Sequence, residues 1–470
     1  MSMGSDKMQL EKKKITKKLT EGNIYLNLLL YALPLITSHM LTQAYSTVDG
    51  IIAGKFIGEF ALGSISATSP IETLVFGLFQ GFALGFSIYI SHLFGKGDFS
   101  TIKRDVVNMI MFIGVISVGI SVLLLYFQDP LMNYLNVDAE LREEAKKYFT
   151  VYTMGYVIFN INQILVNSLH ALGITFFSMY VSLMSAFLNI GGNLLMVLVF
   201  NMGVEGLAIS TLLSSLMSTV VYSVLLRRAF RELGGEKISY RFDFSCVKRS
   251  FRYSAPAAIQ QISFHGVSFI ISPSINILGA AATTGYNVCT RLHSLCTTSL
   301  WGISSAFACY TGQSAGEGNT QKIRRGVRIG FWMTCLMILP FVAVFSIFGD
   351  PIASMFFPNG YEGEALSYAV RYAHIYLPFA YIQLIQHFYH TYMRSLGQVS
   401  VVLGITVVGS IIRIVGTLLL TPVIGLDGAF LAQFIGWAID SMISFAIYFF
   451  RYRTDTHLHR ILACRNSSDN

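Results

Sequence analysis

The chain has 470 residues, 53% of them hydrophobic and only 12% charged, with 33 Lys and Arg against 25 Asp and Glu. That balance, with a mean hydropathy of +0.58, excludes an ordinary soluble domain of this length and indicates a polytopic membrane protein. The formal net charge of +8 requires no nucleic-acid partner, because the basic residues fall between apolar runs, where they act as topology signals.

The chain opens on a basic, polar stretch, "EKKKITKK", and the apolar run after it lacks a small-residue cleavage site. Residues 1–23 therefore read as a retained tail and not as a signal peptide. Apolar runs then recur at 24–52, 60–92, 106–127, 146–170, 175–200, 204–227, 252–275, 281–312, 328–348, 367–394, 399–421 and 428–450. Each is about 20 residues or longer, enough to cross ~30 Å of hydrocarbon at ~1.5 Å per residue. They lack the strict alternation of a membrane β-barrel. The expected organisation is a tail (1–23), a six-helix lobe (24–227), a basic linker (228–251), a second six-helix lobe (252–450) and a closing tail (451–470). With the first tail inside, about 26 of the Lys and Arg fall on that side and about 5 on the other. Both termini are expected to be cytoplasmic, with the protein a monomer in the lipid bilayer of the cell (inner) membrane. Cys246, Cys289, Cys296, Cys309, Cys335 and Cys464 show no CxxC spacing and read as small apolar residues.

The two halves resemble each other. "FGKGD" at 94–98 is echoed by "AGEGN" at 315–319, "FQDP" at 127–130 by "FGDP" at 348–351, and "MGVEGLAIST" at 202–211 by "IGLDGAFLAQ" at 424–433. Leu172-Gly173 likewise matches Leu396-Gly397. All four matches share a displacement of about 222 positions, the signature of a repeat. An even number of helices per half makes the repeat parallel, related by an axis along the membrane normal, as in transporters that work by alternating access. The predicted fold is an all-α bundle of twelve transmembrane helices in two lobes. No HExxH, GxSxG or P-loop is present, so neither an enzyme nor an ATP-driven pump is indicated, no cofactor is called for, and an ion gradient is the remaining energy source.

Away from their ends the spans carry the charged residues Asp49, Glu72, Asp440, Arg291 and Arg413, and intramembrane charges are functional candidates by default. Asp49 lies about 13 Å below the outer end of its helix by residue count. Asn193 on the fifth span and Thr211 on the sixth fall at about the same depth, and Asn189 sits one turn from Asn193 on the same face. A carboxylate, two carboxamides and a hydroxyl at matched depth can solvate a proton or Na⁺. Pro34 and Pro256 occupy equivalent places in the halves, and Pro34 makes bending of the first helix easy. Glu72, after "ATSP", is either a cleft charge that attracts cations or the cap of a local kink. Asp440 is expected to pair with Arg413, and Arg291 reads as a buried ion-pair member. The tenth span carries Tyr372, His374, Tyr376, Phe379, Tyr381, Gln383, Gln386, His387 and Tyr389, a mix suited to flat organic cations or to an aromatic belt. His387 and His390 read as interfacial residues and not as metal ligands. Gln43, Glu72, Arg291, Tyr376, Gln383 and Arg413 make up the expected substrate pathway.

The stretches "YALPLITSHMLTQAYSTVDGIIAGKFIG", "SATSPI", "GKGD", "FLNIGGNLLMVLVFNMGVEGLAIST" and "GLDGAFLAQ" resemble the multidrug and toxic compound extrusion (MATE) family of cation-coupled antiporters, over roughly residues 24–450. The resemblance implies export of amphipathic, cationic small molecules in exchange for H⁺ or Na⁺. It places coupling on Asp49, with Asn189, Asn193 and Thr211 in the same site, and bending at Pro34. Asn193 stands where many such relatives have aspartate, and the seventh span, "SAPAAIQQISFHGVSFIISPS", lacks the acid of the NorM-like branch. Losing one carboxylate weakens a Na⁺ site, so proton coupling through Asp49 is expected, with a bacterial, DinF-like affiliation. The alternatives are a lipid-linked precursor flippase of the same superfamily, a membrane-embedded enzyme or a sensor scaffold. A flippase calls for more basic residues in the cleft than Arg291 and Arg413 supply.

Overall fold

The computed structural model describes residues 16–57, 59–135, 137, 139–234, 241–357, 362–453 and 458. The chain ahead of residue 16, residues 235–240 of the linker and Cys464 lie outside the described residues. The first lobe comprises α1 (Ile24–Ile52), α2 (Glu59–Lys96), α3 (Phe99–Tyr126), a short α4 (Gln128–Tyr134), α5 (Ala139–Ala171), α6 (Phe176–Leu194) and α7 (Val204–Glu232). The second comprises α8 (Phe244–Asn276), α9 (Ala280–Gly316), α10 (Thr320–Ile347), a short α11 (Gly349–Ser354), α12 (Glu364–Arg371), α13 (Ala380–Ser395), α14 (Val399–Ile424) and α15 (Leu426–Ile447). Helices α12 and α13 form one span, broken by a π turn at Tyr372–Tyr376 and a 3₁₀ turn at Leu377–Phe379, where Pro378 cannot donate to the helical ladder. The result, among the described residues, is twelve spans in two six-helix lobes, with helix starts up to eight residues ahead of those expected.

Nine of the described spans are long and apolar enough to cross a membrane by composition alone. The other three, α8, α9 and the α12–α13 pair, carry the polar side chains Gln260, Gln261, His293, Gln383, Gln386, His387 and His390. These groups face inward in the second lobe, and their burial among neighbouring helices is what makes a less apolar span tolerable.

The repeat is visible in local geometry. Gly97 and Gly318 end α2 and α9 at φ 80° and 71°, and Gly173 and Gly397 end α5 and α13 at φ 83° and 82°, the left-handed values that suit glycine. Asp98 caps α3 by accepting from the Thr101 amide, and Asn319 caps α10 by accepting from Lys322. The lobes join through α2 on α8, α1 on α9 and α2 on α9. The first two contacts exchange under the repeat and the third maps onto itself, the pattern that a pseudo-twofold axis requires of a self-complementary interface.

Small residues set these crossings. A Cβ at Gly81 would lie 2.7 Å from the Ala258 nitrogen, and one at its repeat partner Gly302 would lie 2.9 Å from the Ile36 nitrogen. In lipid such close backbone approach, and not apolar burial, supplies much of the helix association. Gly81→Leu is expected to destabilise the protein in detergent by about 3 kcal/mol, the upper range of overpacking costs. Gly191→Leu, where an added Cβ meets open space, is expected to leave the melting midpoint unchanged; thermal unfolding of the two variants is the check.

At the end of the bundle bearing the basic loops the lobes are tightly closed. A Cβ on Gly95 would run into the Gln313 carbonyl, and one on Gly316 into the His92 carbonyl. His92 Nε2 lies 2.5 Å from the Ser395 carbonyl oxygen, and Gln313 Nε2 donates to the Ala171 carbonyl at 3.3 Å. These contacts are repeat equivalents of each other. Residues ahead of α1 brace the seal: the Leu19 amide donates to Gln313 Oε1 (2.8 Å) and the Thr20 hydroxyl to Glu317 Oε1 (2.6 Å), while the Lys17 amide donates to the Leu172 carbonyl (3.2 Å).

Candidate functional site

Helix α1 carries Pro34 followed by Thr37, Ser38 and Thr42, whose hydroxyls donate back to the carbonyls of Leu33, Pro34 and Ser38 at 2.9–3.0 Å. A proline with back-bonded hydroxyls weakens the helical ladder locally. Further along, Asp49 lies just before a π turn at Ala53–Ile57, and Asn193 on α6 lies just before another at Leu195–Val199. The two π turns pack against each other. Such single-turn irregularities occur often at functional sites, because they redirect side chains out of α-helical register.

The structure brings together the four residues aligned by depth. Asn193 Nδ2 donates to Asp49 Oδ1 at 2.5 Å and reaches Asn189 Oδ1 at 3.5 Å, while Asn189 Nδ2 donates to the Thr211 hydroxyl at 3.1 Å. The Thr211 hydroxyl donates in turn to the Leu207 carbonyl (3.0 Å), and Ser210 holds the Asn189 carbonyl (2.8 Å). Asn193 is fully buried, yet its Oδ1 has no hydrogen-bond partner. A buried orphan acceptor beside a carboxylate is costly, and acceptor oxygens of this kind are what a proton carrier or small cation uses.

Glu72 on α2 accepts from the Thr68 hydroxyl at 2.7 Å. Tyr148 and Tyr152 of α5 lie within Coulombic reach of both Glu72 and Asp49, so both carboxyl groups serve one first-lobe interior. Among the described residues neither makes an ion pair. Under the repeat Asp49 corresponds to Ile271 and Asn189 to Arg413, so the second lobe holds no equivalent carboxylate site.

The second lobe differs in kind. A cavity there is lined by residues of α8, α9, α13 and α14, among them Gln260, Phe264, Trp301, Gln383, His387 and Arg394. Gln383 Oε1 accepts from His293 Nε2 at 2.7 Å, and His293 Nδ1 meets the Tyr372 hydroxyl at 2.9 Å. Asp440 does not form the expected ion pair with Arg413. Its contacts are Gln386 Nε2 at 2.7 Å, the Ser444 hydroxyl at 3.3 Å and His390 Nε2 at 2.8 Å, the last at ion-pair distance without hydrogen-bond alignment. Arg413 instead donates to Ser410 (3.0 Å) and stacks over Phe264 at 5.5 Å, with Asp440 in Coulombic reach. The reason is room: the side chains of α13 reach Asp440 first, from a helix that a count along the sequence does not place beside it.

His387 and His390 are likewise not interfacial, since both line the interior cavity. Arg291, expected in a buried pair, is exposed, as is Gln43. Tyr376 sits in the π turn, stacked on Phe434 with its hydroxyl donating to Asp427 at 3.2 Å. The cysteines Cys246, Cys289, Cys296 and Cys309 are buried as free thiols. Counting along the sequence overlooked Arg394, Gln260 and His293; the paired glutamines at 260–261 inside an apolar run were the readable signal.

The chain is similar to known membrane transporters over most of its length. The family profile described as MatE matches the chain twice, over residues 34–195 and 256–419, one match per repeat and each beginning at a proline, Pro34 or Pro256. The probable multidrug resistance protein YoeA of Bacillus subtilis is 22% identical over 353 residues, covering 73% of this chain and 75% of its own. The probable multidrug resistance protein NorM of Thermotoga maritima is 24% identical over 334 residues, with 69% and 70% covered. Among solved structures, the Vibrio cholerae MATE transporter VcmN superposes with a TM-score of 0.85 at 17% identity, covering 93% of this chain and 98% of that one. A MOP superfamily transporter from Pyrococcus furiosus gives 0.83 at 18%, covering 96% and 99%. At these identities the structural likeness speaks for the fold, while the paired profile matches over most of the chain speak for the family: the protein belongs to the MATE family of membrane transporters.

Proposed function

We propose that the protein is a secondary antiporter that exports amphipathic small molecules in exchange for H⁺ or Na⁺ by alternating access. The observation that carries this reading is the buried, unpartnered Asn193 Oδ1 beside Asp49, an acceptor pair suited to a coupling cation. The relatives named as probable multidrug resistance proteins support small molecules over lipid-linked precursors as cargo. On this reading the basic end faces the cytoplasm, the cell (inner) membrane holds the chain as a monomer with both tails inside, and the closed seal at His92 and Gln313 makes this an outward-facing state. The cation enters from outside, neutralises Asp49, loosens its bond to Asn193 and lets α1 bend at Pro34, which displaces cargo. The basic seal then opens so that the cation leaves inward and fresh cargo binds.

Ethidium efflux from energised cells tests the reading: expression of the chain is expected to accelerate it, and collapse of both ion gradients to abolish the gain. Efflux that persists without either gradient would contradict antiport. A second expectation concerns the ion. Asn193→Asp adds a carboxylate to the site, and a higher charge count favours a metal cation. This variant is expected to make efflux Na⁺-stimulated by at least about threefold, a change of ~0.65 kcal/mol on the scale of 1.4 kcal/mol per tenfold, read by titrating NaCl against choline chloride at fixed pH.

A further inference from the structure

The second-lobe cavity holds a cation with no carboxylate of its own. Arg394 ends α13 beside a loop, yet it is only 4% exposed. Its guanidinium donates to Thr391 Oγ1 at 3.1 Å and reaches Gln260 Oε1 at 3.4 Å, and both acceptors are neutral. Among the described residues no carboxylate comes within ion-pair distance of it. The carboxylate buried nearby, Asp440 at 2% exposure, is engaged by Gln386, Ser444 and His390 and lies in Coulombic reach of Arg413. Asp440 is thus engaged beside Arg413, and among the described residues the Arg394 guanidinium contacts neutral side chains alone.

A buried charge is ordinarily paired, and an unpaired arginine inside a membrane bundle is expensive. The guanidinium presents five N–H donors in a planar fork that matches a carboxylate or phosphate, and neutral side chains occupy only part of that fork. The cavity wall in front of it supplies the rest of a ligand site. Phe264 and Trp301 offer flat apolar faces, Gln261 and Gln383 offer amide groups, and His387 contacts the Trp301 ring edge-on with centroids 4.8 Å apart. Gln261 also donates to Gln80 of the first lobe at 2.9 Å, which ties the cavity to the interface that must move.

We propose that this cavity is a subsite for the acidic group, phosphate or carboxylate, of an amphipathic ligand, with Arg394 as its counter-ion and Phe264 and Trp301 against its apolar body. The inference deepens the export reading above and rests on it for taking the ligand to be transported. It divides the labour between lobes: carboxylates for the coupling cation in the first, an arginine for the ligand in the second.

The test is equilibrium binding to the purified full chain in detergent, using matched pairs that differ by one phosphate. Flavin mononucleotide against riboflavin probes a soluble aromatic ligand, and dioctanoyl phosphatidic acid against dioctanoylglycerol probes a lipid. The phosphorylated member of at least one pair is expected to bind tenfold or more tightly, and the pair that shows the preference identifies the source. Arg394→Gln is expected to erase the preference by weakening the phosphorylated member at least tenfold more than its unphosphorylated partner, and Arg394→Lys to retain part of it. Equal affinities within both pairs in the wild-type protein overturn the proposal even if no variant folds, and so does a preference that survives Arg394→Gln. A merely structural arginine would weaken both members alike. Binding needs no ion gradient, so its failure is distinguishable from a failure of antiport.

Discussion

Asp49→Asn is expected to reduce gradient-driven ethidium efflux at least tenfold while leaving the fold intact. The replacement keeps the shape of the side chain and an oxygen that can still accept from Asn193 Nδ2, the bond that measures 2.5 Å here. What it removes is the negative charge, and with it the means to take up and release a cation once per cycle. Because an ionised carboxylate in a membrane interior is itself costly, the variant is expected to melt in detergent at or slightly above the wild-type midpoint. Loss of transport with retained stability separates a coupling role from a packing role. Asn189→Ala, which among the described residues removes side-chain amide contacts with Thr211 and Asn193, is expected to cost less. Undiminished efflux in Asp49→Asn, measured at matched expression, would remove the carboxylate from the mechanism.

Gly95→Ala combined with Gly316→Ala is expected to open the basic end. The two glycines face each other across the pseudo-twofold axis, and each added methyl would collide with backbone of the opposite helix, Gln313 or His92. Backbone cannot rotate away as a side chain can, so each substitution charges this state the overpacking cost of about 1–3 kcal/mol. The state with the basic end open does not bear that cost. A combined shift of a few kcal/mol changes the ratio of the two states by tenfold or more. Cys309 reports it directly: the thiol is buried at the seal, 3.5 Å from the carbonyls of both His170 and Ala171. With Cys309 as the sole cysteine, a membrane-impermeant maleimide applied from the basic side is expected to label the double variant at least tenfold faster than the parent. Equal labelling rates would mean that the seal is not the closed gate of this state.

The architecture was legible because lipid restricts the choices. Apolar length located the twelve spans, and the repeat between "FGKGD" and "AGEGN" carried the two-lobe organisation into turn geometry as fine as the paired caps at Asp98 and Asn319. Counting residues from the loops also aligned Asp49, Asn193 and Thr211, since helices that run straight across a membrane convert sequence distance into depth. Rotation about each helix axis does not follow from depth. Depth alone pairs Asp440 with Arg413 of the preceding helix, whereas α13 supplies Gln386 and His390. Arg394 closes the span at 367–394, where counting places it at the membrane surface, and only the packing of Ser395 against His92 and of Gln260 against its own guanidinium puts it inside. The glycines at 77, 81 and 85, four apart on α2, were a readable sign of close helix packing that hydropathy alone passes over.

The central claim, that a cation taken up at Asp49 drives export, is tested most directly in proteoliposomes with the pH and Na⁺ gradients imposed one at a time and ethidium flux as the readout. The account predicts flux under the pH gradient, little under Na⁺ alone, and none for Asp49→Asn under either. Equal flux with both gradients absent, or flux in Asp49→Asn that matches the wild type, would contradict it.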